Sequence, residues 1–460
     1  MTNTLPVTKG QNYKIDIAGL GHSGEGVGRY QNFTVFVPGA LPGEQVTVQI
    51  SEVKKNYAKA RLVKVDTASP DRVVPDCELF ASCGGCQLQH LDYQAQLAAK
   101  RQTVVDAVNR IGGLADVIVH PTLGAAQPWY YRNKMQFPVG GKSGRITIGC
   151  YTQGTHNIIN VEDCLIQHQA NNLIAAKVRA IANELEITPY NERTGQGVLR
   201  HVLGRVGCAS GEAMVVLVTA TPELPQRAEL IAALRDNIPG LVSIAHNINT
   251  RNTNVILGNR TKTLWGQNTI TDKLGEFTFH ISAQSFFQVN TAQAAILYTK
   301  AVEYAGLTGS QTVIDAYCGT GTITLFLARQ AVKVYGIEIV ESAIHDAKLN
   351  AKINNISNTE FIIGDAVEIM PQLYQDGIRP HAIVVDPPRA GCAPAVLEAF
   401  ANMQPERIVY VSCNPASLAR DLAVLDSHGY KAKQIQPVDM FPQTYHVETV
   451  TLLQRKETTK

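Results

Sequence analysis

The stretch that decides the fold is Thr312-Val313-Ile314-Asp315-Ala316-Tyr317-Cys318-Gly319-Thr320-Gly321. An apolar run ends near an acidic residue and is followed at once by a glycine-rich turn, as in a strand that leads into a helix at a nucleotide site. The glycines let the backbone approach a ligand closely. The spacing is not G-x-G-x-x-G, so the fingerprint of dinucleotide binding is absent.

Outward from this turn, apolar runs alternate with segments of helix length from about residue 282 onward. The runs cover 312–316, 332–337, 360–363, 381–385 and 407–411. Such alternation predicts a doubly wound, largely parallel sheet. We therefore expect a Rossmann-like α/β domain over 282–460.

Four of these strands end in an acidic residue, namely Asp315, Glu338, Asp365 and Asp386. Glu338 stands where a carboxylate accepts bonds from both hydroxyls of a ribose, and Asp365 where it can meet an adenine edge. One acidic residue alone at such a place is usually an exposed loop residue. Four in succession resemble the class I S-adenosylmethionine-dependent methyltransferases, over roughly residues 282 to 453.

The fourth strand ends in Asp386-Pro387-Pro388-Arg389, which also resembles the motif of amino-methyltransferases acting on adenine or glutamine. In those enzymes an aromatic residue follows the prolines, whereas Arg389 stands here, and they need no thiol. Amino-group methylation remains an alternative function.

A cysteine follows the fifth strand, in Ser412-Cys413-Asn414-Pro415. The carboxyl end of a strand in a nucleotide-binding sheet is where a covalent nucleophile would be placed. The alternative is that Cys413 is a small buried hydrophobe, which is our interpretation of Cys318 and Cys392.

Four stretches together look like the RNA uracil-5-methyltransferase family, and the likeness extends over nearly the whole chain. They are Ser285-Phe286-Phe287-Gln288-Val289-Asn290, Asp386-Pro387-Pro388-Arg389, Ser412-Cys413-Asn414-Pro415 and His446-Val447-Glu448. The resemblance implies that Cys413 is the nucleophile and Glu448 the base. It also implies a set of residues at or near the methyl donor, S-adenosylmethionine: Gln288, Tyr317, Glu338, Asp365 and Asp386.

The chemistry of uracil explains such a pair independently. Uracil C5 is a weak nucleophile, and addition of a thiolate at C6 turns it into an enolate carbon that can accept a methyl group. A base must then remove the C5 proton so that the cysteine can leave, and a carboxylate such as Glu448 can do so. The alternative to a catalytic role is that Glu448, which precedes the apolar run 450–453, is an ordinary residue at the edge of a strand.

The first 70 residues contain short β-rich runs separated by glycine and proline, which predicts a small OB-like barrel over 1–70. Its last strand carries Lys59 and Arg61 among other basic residues. A basic strand on such a barrel is a plausible RNA platform, although a solvated charged face is the alternative. The barrel resembles a TRAM domain, and a non-catalytic RNA-binding protein is therefore a further alternative.

The region 71–281 reads as an α+β central domain, with a helix over 91–111, and it contains a cysteine cluster. Cys77, Cys83 and Cys86 form C-x5-C-G-G-C, and Cys164 lies in a separate turn. Zinc held by four thiolates is one interpretation. The family resemblance implies a [4Fe-4S] cluster held by these four cysteines instead.

Composition limits the remaining choices. The formal net charge of +2 argues against a strongly basic nucleic-acid binder but leaves local patches open. No run of about eighteen apolar residues is present, and the first residues lack the pattern of a signal peptide. We expect a cytoplasmic monomer that does not bind a membrane.

RNA is the expected partner. Arg132 and Lys134 supply further basic groups in the central domain, although either is alternatively an ordinary solvated residue. A uracil buried in folded RNA cannot reach Cys413, so the target base must be flipped or unpaired. Relatives that act on transfer RNA typically lack the barrel and the cluster, whereas ribosomal RNA enzymes carry both. The resemblance therefore implies 23S ribosomal RNA or its precursor, with tRNA as the second choice.

Overall fold

The structure is a computed structural model and describes residues 5–456. The first strands close into a barrel in the order β1-β2-β3-β5-β4. They are β1 (Asn12–Leu20), β2 (Gly26–Tyr30), β3 (Phe33–Val37), β4 (Gln45–Val53) and β5 (Tyr57–Thr67). Val46, Val48 and Ile50 alternate along β4 and are buried in the barrel core, as the two-residue period of a strand requires. The predicted N-terminal barrel is confirmed.

A loop with three cysteines leads from the barrel to α1 (Tyr93–Arg110) and β6 (Ile118–Val119). Asp92 caps α1 by accepting hydrogen bonds from the backbone N–H groups of Gln94 and Ala95. The predicted helix over 91–111 is confirmed to within two residues. Although α1 and β6 lie between residues 71 and 281, they pack on the C-terminal domain, and β6 forms the edge of its sheet.

The central domain is built on a sheet with two long buried strands. Its elements are β7 (Lys134–Lys142), β8 (Arg145–Tyr151), β9 (Ile158–Asn160), α2 (Gln169–Glu184), β10 (Leu199–Val206), β11 (Ala213–Thr219), α3 (Arg227–Asn237), β12 (Leu241–Ile248), β13 (Arg260–Gly266) and the hairpin β14 (Thr269–Leu274) and β15 (Phe277–Ser282). The strand order is β13-β12-β11-β10-β7-β8-β9. Along β11, Val215 and Leu217 face α2 and α3, whereas Val216 and Val218 pack toward the C-terminal domain. The mixed α+β character is confirmed.

The C-terminal domain has the predicted doubly wound sheet. Its elements are α4 (Thr291–Ala305), β16 (Thr312–Ala316), α5 (Thr322–Ala328), β17 (Lys333–Glu338), α6 (Glu341–Ile353), β18 (Thr359–Ile363), α7 (Ala366–Gln375), β19 (Ala382–Val385), α8 (Pro394–Asn402), β20 (Arg407–Ser412), α9 (Pro415–Ser427), β21 (Tyr430–Val438) and β22 (Glu448–Arg455). The order is β18-β17-β16-β19-β20-β22-β21-β6, with β18 through β20 parallel.

Two features of this order position the site. The chain continues to opposite sides of β16, toward β17 and toward β19, and such a switch opens a crevice at the carboxyl ends of the strands. The strand β22 returns antiparallel between β20 and β21. The start of β22 therefore lies at the same edge of the sheet as the end of β20.

Candidate active site

A cavity of about 1120 Å³ lies between the central domain and the carboxyl edge of the C-terminal sheet. Its lining includes Cys413 and Glu448 together with Asp386 and Gln288. These four residues come from a stretch of 161 sequence positions, so the fold is what brings them together. The sequence-predicted nucleophile and base face one shared space.

Cys413 is held in the turn between β20 and α9. The backbone N–H of Asn414 donates to Ser412 Oγ at 3.1 Å, and Asn414 Oδ1 accepts from the N–H of Ala416 at 3.1 Å, which caps α9. Pro415 occupies the first turn of α9, where its missing N–H costs nothing. The Ser-Cys-Asn-Pro sequence thus builds a rigid strand-to-helix turn with the thiol at its corner.

The loop after β19 is tied to the same turn. The side chains of Asn414 and Ser417 both donate to the carbonyl oxygen of Arg389, at 3.0 and 3.1 Å. Arg389 itself is exposed on the cavity wall. The Asp-Pro-Pro-Arg loop and the cysteine turn therefore form one unit.

The charges around Cys413 oppose its ionisation. Burial raises the pKa of the thiol to about 11, and the carboxylates of Glu448 and Asp386 add to the effect, while Arg389 lowers it. A thiolate is the nucleophilic form. In the free protein Cys413 is consequently held as a thiol.

Glu448 is a buried carboxyl group at the first position of β22, and 5% of the residue is exposed. Burial raises its pKa to about 8, with a further contribution from Asp386 and an opposing one from Arg389. Burial also raises the pKa of Asp386, to about 6. A carboxyl whose pKa lies near neutrality is suited to take up a proton and release it again.

The residues predicted to surround the methyl donor lie along the crevice. The two carboxylate oxygens of Glu338 accept from the backbone N–H groups of Gly319 at 3.2 Å and Val340 at 2.9 Å. This pairing fastens the glycine-rich turn after β16 to the end of β17. Tyr317 begins that turn with a φ of 66°, a left-handed conformation that is unusual for a residue other than glycine.

Two of the predicted acidic residues have structural partners. Asp365 caps α7 by accepting from the N–H of Val367 at 2.9 Å. Asp315 is fully buried and accepts from Thr324 Oγ1 at 2.5 Å, and burial raises its pKa to about 7. Asp315 therefore fastens α5 to β16 and does not line the crevice surface.

The four predicted metal-ligating cysteines all line the large cavity: Cys77, Cys83, Cys86 and Cys164. The backbone N–H of Gly84 donates to the carbonyl oxygen of Tyr151 at 3.2 Å, which ties the loop of the first three cysteines to β8. Cys164 lies in the turn after β9, the neighbour of β8 in the sheet. Burial raises the pKa of Cys86 to about 12 and that of Cys164 to about 11, and neighbouring thiols contribute in both cases. The fold thus gathers cysteines that are far apart in sequence.

Whether these thiols fit a metal depends on the kind of centre. Within residues 5–456, no group of three or more His, Cys, Asp or Glu side chains is arranged to hold a single metal ion. Zinc requires its four thiolates to converge on one point. In a [4Fe-4S] cluster each cysteine binds a different iron, so the thiols surround a larger volume. Thiolates are ligands of both kinds of centre, so the four cysteines fit either one in the type of donor that they supply.

Sequence reasoning missed Cys150, which lies on β8 and lines the same cavity. A hydrogen bond from Cys150 lowers the pKa of the Cys83 thiol below its usual range. No spacing signal marked Cys150, because it lies outside both cysteine motifs and reaches them through tertiary contacts such as the pairing of Thr152 with Cys83.

The predicted RNA-binding residues fall into two places. Arg132 and Lys134 line the cavity at the start of β7, and burial lowers the pKa of Lys134 to about 7, with help from Arg205 and Arg132. Lys59 and Arg61 are exposed on one face of β5 in the barrel. Lys59 also forms an ion pair with Glu52 at 3.7 Å, between side chains that are 56% and 41% exposed.

Two aromatic groups in the cavity also went unnoticed in the sequence. Phe286 lines it with 69% of its surface exposed, and His446 lines it with Tyr445 packed on its ring at 4.1 Å between ring centroids. Both belong to stretches that carry the family resemblance, but an aromatic residue next to an apolar run reads from sequence as core.

Two protein families match this chain, one over its C-terminal half and one over its N-terminal barrel. The family model described as tRNA (Uracil-5-)-methyltransferase matches residues 226–456, and the TRAM domain model matches residues 6–63. An uncharacterized RNA methyltransferase of Halalkalibacterium halodurans is 50% identical over 98% of each chain. One from Clostridium tetani is 49% identical, also over 98% of each chain.

A solved structure is similar along almost the whole length. It is the Pyrococcus abyssi tRNA (uracil-54, C5)-methyltransferase in complex with S-adenosyl-L-homocysteine, with a TM-score of 0.76 and 29% sequence identity. The match covers 96% of this chain and 100% of that chain. Among residues 5–456, no helix is long and apolar enough to cross a membrane.

Proposed function

Because this chain belongs to the tRNA (uracil-5-)-methyltransferase family and is an S-adenosylmethionine-dependent RNA methyltransferase, we propose that it methylates C5 of a uridine in 23S ribosomal RNA. The product is 5-methyluridine. The observation that carries the proposal is that Cys413 and Glu448 line one cavity beside Asp386.

In the proposed reaction the Cys413 thiol first loses its proton to solvent. The thiolate then bonds to C6 of the uracil, and the C5–C6 electron pair becomes that of an enolate. C5 then bonds to the methyl carbon, the bond from that carbon to the donor sulfur breaks, and S-adenosylhomocysteine is left. Glu448 takes the proton from C5, the C5–C6 double bond re-forms, and the Cys413 thiolate leaves. The raised pKa of Glu448 fits a group that takes up this proton.

The initial loss of the thiol proton needs the substrate to be bound. Burial and two carboxylates raise the pKa of Cys413 to about 11, so the free enzyme holds little thiolate at neutral pH. The sulfonium of the methyl donor carries positive charge, and its arrival beside Asp386 and Glu448 offsets these carboxylates. Arg389 acts in the same direction.

For the donor itself we propose the contacts implied by the family. Gln288 and Asp386 line the same cavity as Cys413, to which the methyl group must be delivered. Tyr317 and Glu338 lie at the two sides of the glycine-rich turn, and Asp365 follows the next strand. Of these, Glu338 is already oriented by two backbone N–H groups and needs little rearrangement to bind a ribose.

We propose that Cys77, Cys83, Cys86 and Cys164 hold a [4Fe-4S] cluster. Four thiols lining one cavity support it. Such a cluster would fix the loop before α1 to the turn that carries Cys164 and so shape the wall of the cavity between them. The proposed reaction uses no electron transfer.

Transfer RNA is the second candidate substrate, and one observation favours it. The Pyrococcus abyssi neighbour is named as a tRNA enzyme, and its match covers 96% of this chain, so the barrel is included. The presence of a barrel therefore does not distinguish enzymes that act on ribosomal RNA from those that act on transfer RNA. The proposal of 23S RNA depends on the cysteine cluster alone.

The test is nuclease digestion and mass spectrometry of RNA from cells with and without the protein, complemented by the wild type or by Cys413→Ala. We expect 5-methyluridine in 23S RNA to be lost on deletion, restored by the wild type and not restored by the variant. Loss from tRNA alone would select the second candidate. Methylation at an amino group, or full activity of Cys413→Ala, would refute the mechanism.

A further inference from the structure

The loop 439–447 joins β21 to β22 and leads directly into Glu448. Val438 and Glu448 are the last residue pair of this hairpin. Short hairpin loops fix their own register through the turn, but a loop of this length does not. Strand pairing fixes Glu448 on its β22 side, and the contacts of the loop hold it from the other side.

The main contact is a buried ion pair with a different part of the chain. Lys100 on α1 and Asp439 at the start of the loop have side chains that are 1% and 0% exposed, and Lys100 Nζ lies 2.5 Å from Asp439 Oδ1. The same ammonium group donates to the carbonyl oxygen of Phe441 at 3.1 Å, and Tyr93 Oη donates to Asp439 Oδ2 at 2.9 Å. Tyr93 and Lys100, two turns apart on α1, thus hold the start of the loop by hydrogen bonds.

A second contact holds the loop at its tip. Gln443 has a φ of 70°, a strained value for a residue other than glycine. Its backbone N–H donates to Gln96 Oε1 at 3.1 Å, and Gln96 Nε2 donates to Gln443 Oε1 at 3.0 Å. The backbone N–H groups of Gln87 and Leu88, in the loop that follows Cys86, both donate to the Gln443 carbonyl oxygen. Strain of this kind persists only where the surroundings impose it.

A purely stabilising role explains the ion pair poorly. Taking two charges out of water costs about as much as their attraction returns, so a packed apolar pair is often as stable. What an ion pair adds is a fixed geometry, because only one placement satisfies both charges. Here the fixed geometry belongs to the loop that precedes the proposed base.

We propose that Lys100 is a positioning residue that holds Glu448 in place for removal of the C5 proton. The proposal rests on the roles proposed for Cys413 and Glu448. Cys413 lies in the turn between β20 and α9, whereas the hydrogen bonds of Lys100 go to Asp439 and Phe441 in the loop, so we expect addition at C6 and methyl transfer to proceed without Lys100. The later step slows, because proton transfer to the Glu448 carboxylate, re-formation of the C5–C6 bond and departure of the Cys413 thiolate require an aligned base.

The experiment uses Lys100→Met in the full-length protein with S-adenosylmethionine and an RNA substrate containing ordinary uridine. We expect a denaturant-stable protein–RNA adduct to accumulate at least tenfold above the wild type, while kcat and KM for RNA fall together and kcat/KM stays the same. RNA with 5-fluorouridine traps the adduct in both proteins, because fluorine cannot leave as a proton does. Equal trapping shows that the earlier steps are intact.

A matched control is available on the same helix. Arg110→Met breaks the pair between Arg110 and Asp106, whose side chains are 77% and 38% exposed. We expect no adduct with ordinary uridine in that variant. If Lys100→Met gave no more adduct than Arg110→Met and turned over normally, the positioning role would be refuted.

Two further variants test the proposal if Lys100→Met does not fold and test the mechanism on which it rests. If Lys100→Met fails to fold and traps nothing, Tyr93→Phe replaces it, since this change removes one bond to Asp439 and keeps the ion pair. We expect about threefold adduct accumulation, and none would overturn the proposal. Glu448→Gln must itself accumulate the adduct. If it does not, the proposed catalytic mechanism fails, whatever Lys100 does.

Discussion

Ser412 pairs with Thr449 across β20 and β22. Cys413 follows the first of these residues and Glu448 precedes the second, so the nucleophile and the base proposed here lie side by side at the end of one strand pair. The arrangement has a cost, because the Glu448 charge adds to burial in raising the pKa of Cys413. The same neighbourhood that places the base near C5 makes the thiol harder to ionise.

Glu448→Gln should therefore make Cys413 more reactive in the free enzyme, although it abolishes turnover. Removing the neighbouring negative charge lowers the pKa of the thiol, which is held at about 11. At pH 9 we expect alkylation of Cys413 by iodoacetamide to be faster by a factor of about 3 to 10. The measurement is the pH dependence of the alkylation rate, followed by mass spectrometry of the peptide.

The control for this prediction is Glu360→Gln, which removes a carboxylate that is 52% exposed on β18. It should leave the alkylation profile of Cys413 unchanged. An identical profile for Glu448→Gln and the wild type would mean that the Glu448 charge does not raise the pKa of the thiol.

Glu448→Gln should also stabilise the protein, and the gain should depend on pH. Burial raises the pKa of Glu448 from 4.5 to about 8. The cost of burying its charge is absent below pH 4.5, grows as the pH rises toward 8 and is complete above 8. At pH 9 we expect the variant to melt several degrees above the wild type, and at pH 4.5 to show no advantage.

Thermal unfolding followed by circular dichroism at both pH values tests this expectation. Glu398→Gln serves as the control here, since removal of a carboxylate exposed on α8 should give the same difference in Tm at both pH values. A stabilisation by Glu448→Gln that was equal at pH 4.5 and pH 9 would contradict a charge-burial cost.

The sheet was predictable because its signals are local. Each predicted strand of the C-terminal domain agrees with the observed one to within a residue or so, since apolar runs bounded by glycine and acidic residues are encoded in consecutive positions. The Ser-Cys-Asn-Pro turn was predictable for the same reason.

What the sequence did not predict depends on contacts between distant positions. Lys100 lies in a helix with mixed polar character, where a lysine reads as solvent-exposed, and its partner Asp439 is 339 positions away. Asp315 looked like the other strand-end acids but turns inward to Thr324. Cys150 joins the cysteines only because β8 pairs back toward them. In each case the residue that determines the side chain's environment is distant in sequence and is brought close by the tertiary structure.

The cysteine proposal predicts a difference between two thiols that share the cavity. Cys86→Ser should lose the cluster, whereas Cys150→Ser should retain about four irons per chain, because Cys150 lies outside the proposed ligand set. Iron and sulfide analysis after anaerobic purification measures both, together with the visible absorbance. Loss of iron in Cys150→Ser with retention in Cys86→Ser would reassign the ligands.

Lys134 in the cavity and Lys59 on the barrel should differ in how their contribution to RNA binding depends on pH. Lys134→Ala should weaken RNA binding and reduce the slope of log K against log salt by about one, as expected for one lost phosphate contact. Burial lowers the pKa of Lys134 to about 7, so its charge is present below that pH and is lost as the pH rises through it. The difference from the wild type should therefore be larger at pH 6 than at pH 8.

Lys59→Ala on the barrel should reduce the slope equally at both values, because that lysine is 56% exposed. Lys431→Ala, at the end of β21 farthest from Glu448, is the control. A pH-independent effect of Lys134→Ala would mean that bound RNA keeps this lysine charged throughout, and no effect at all would remove it from the RNA interface.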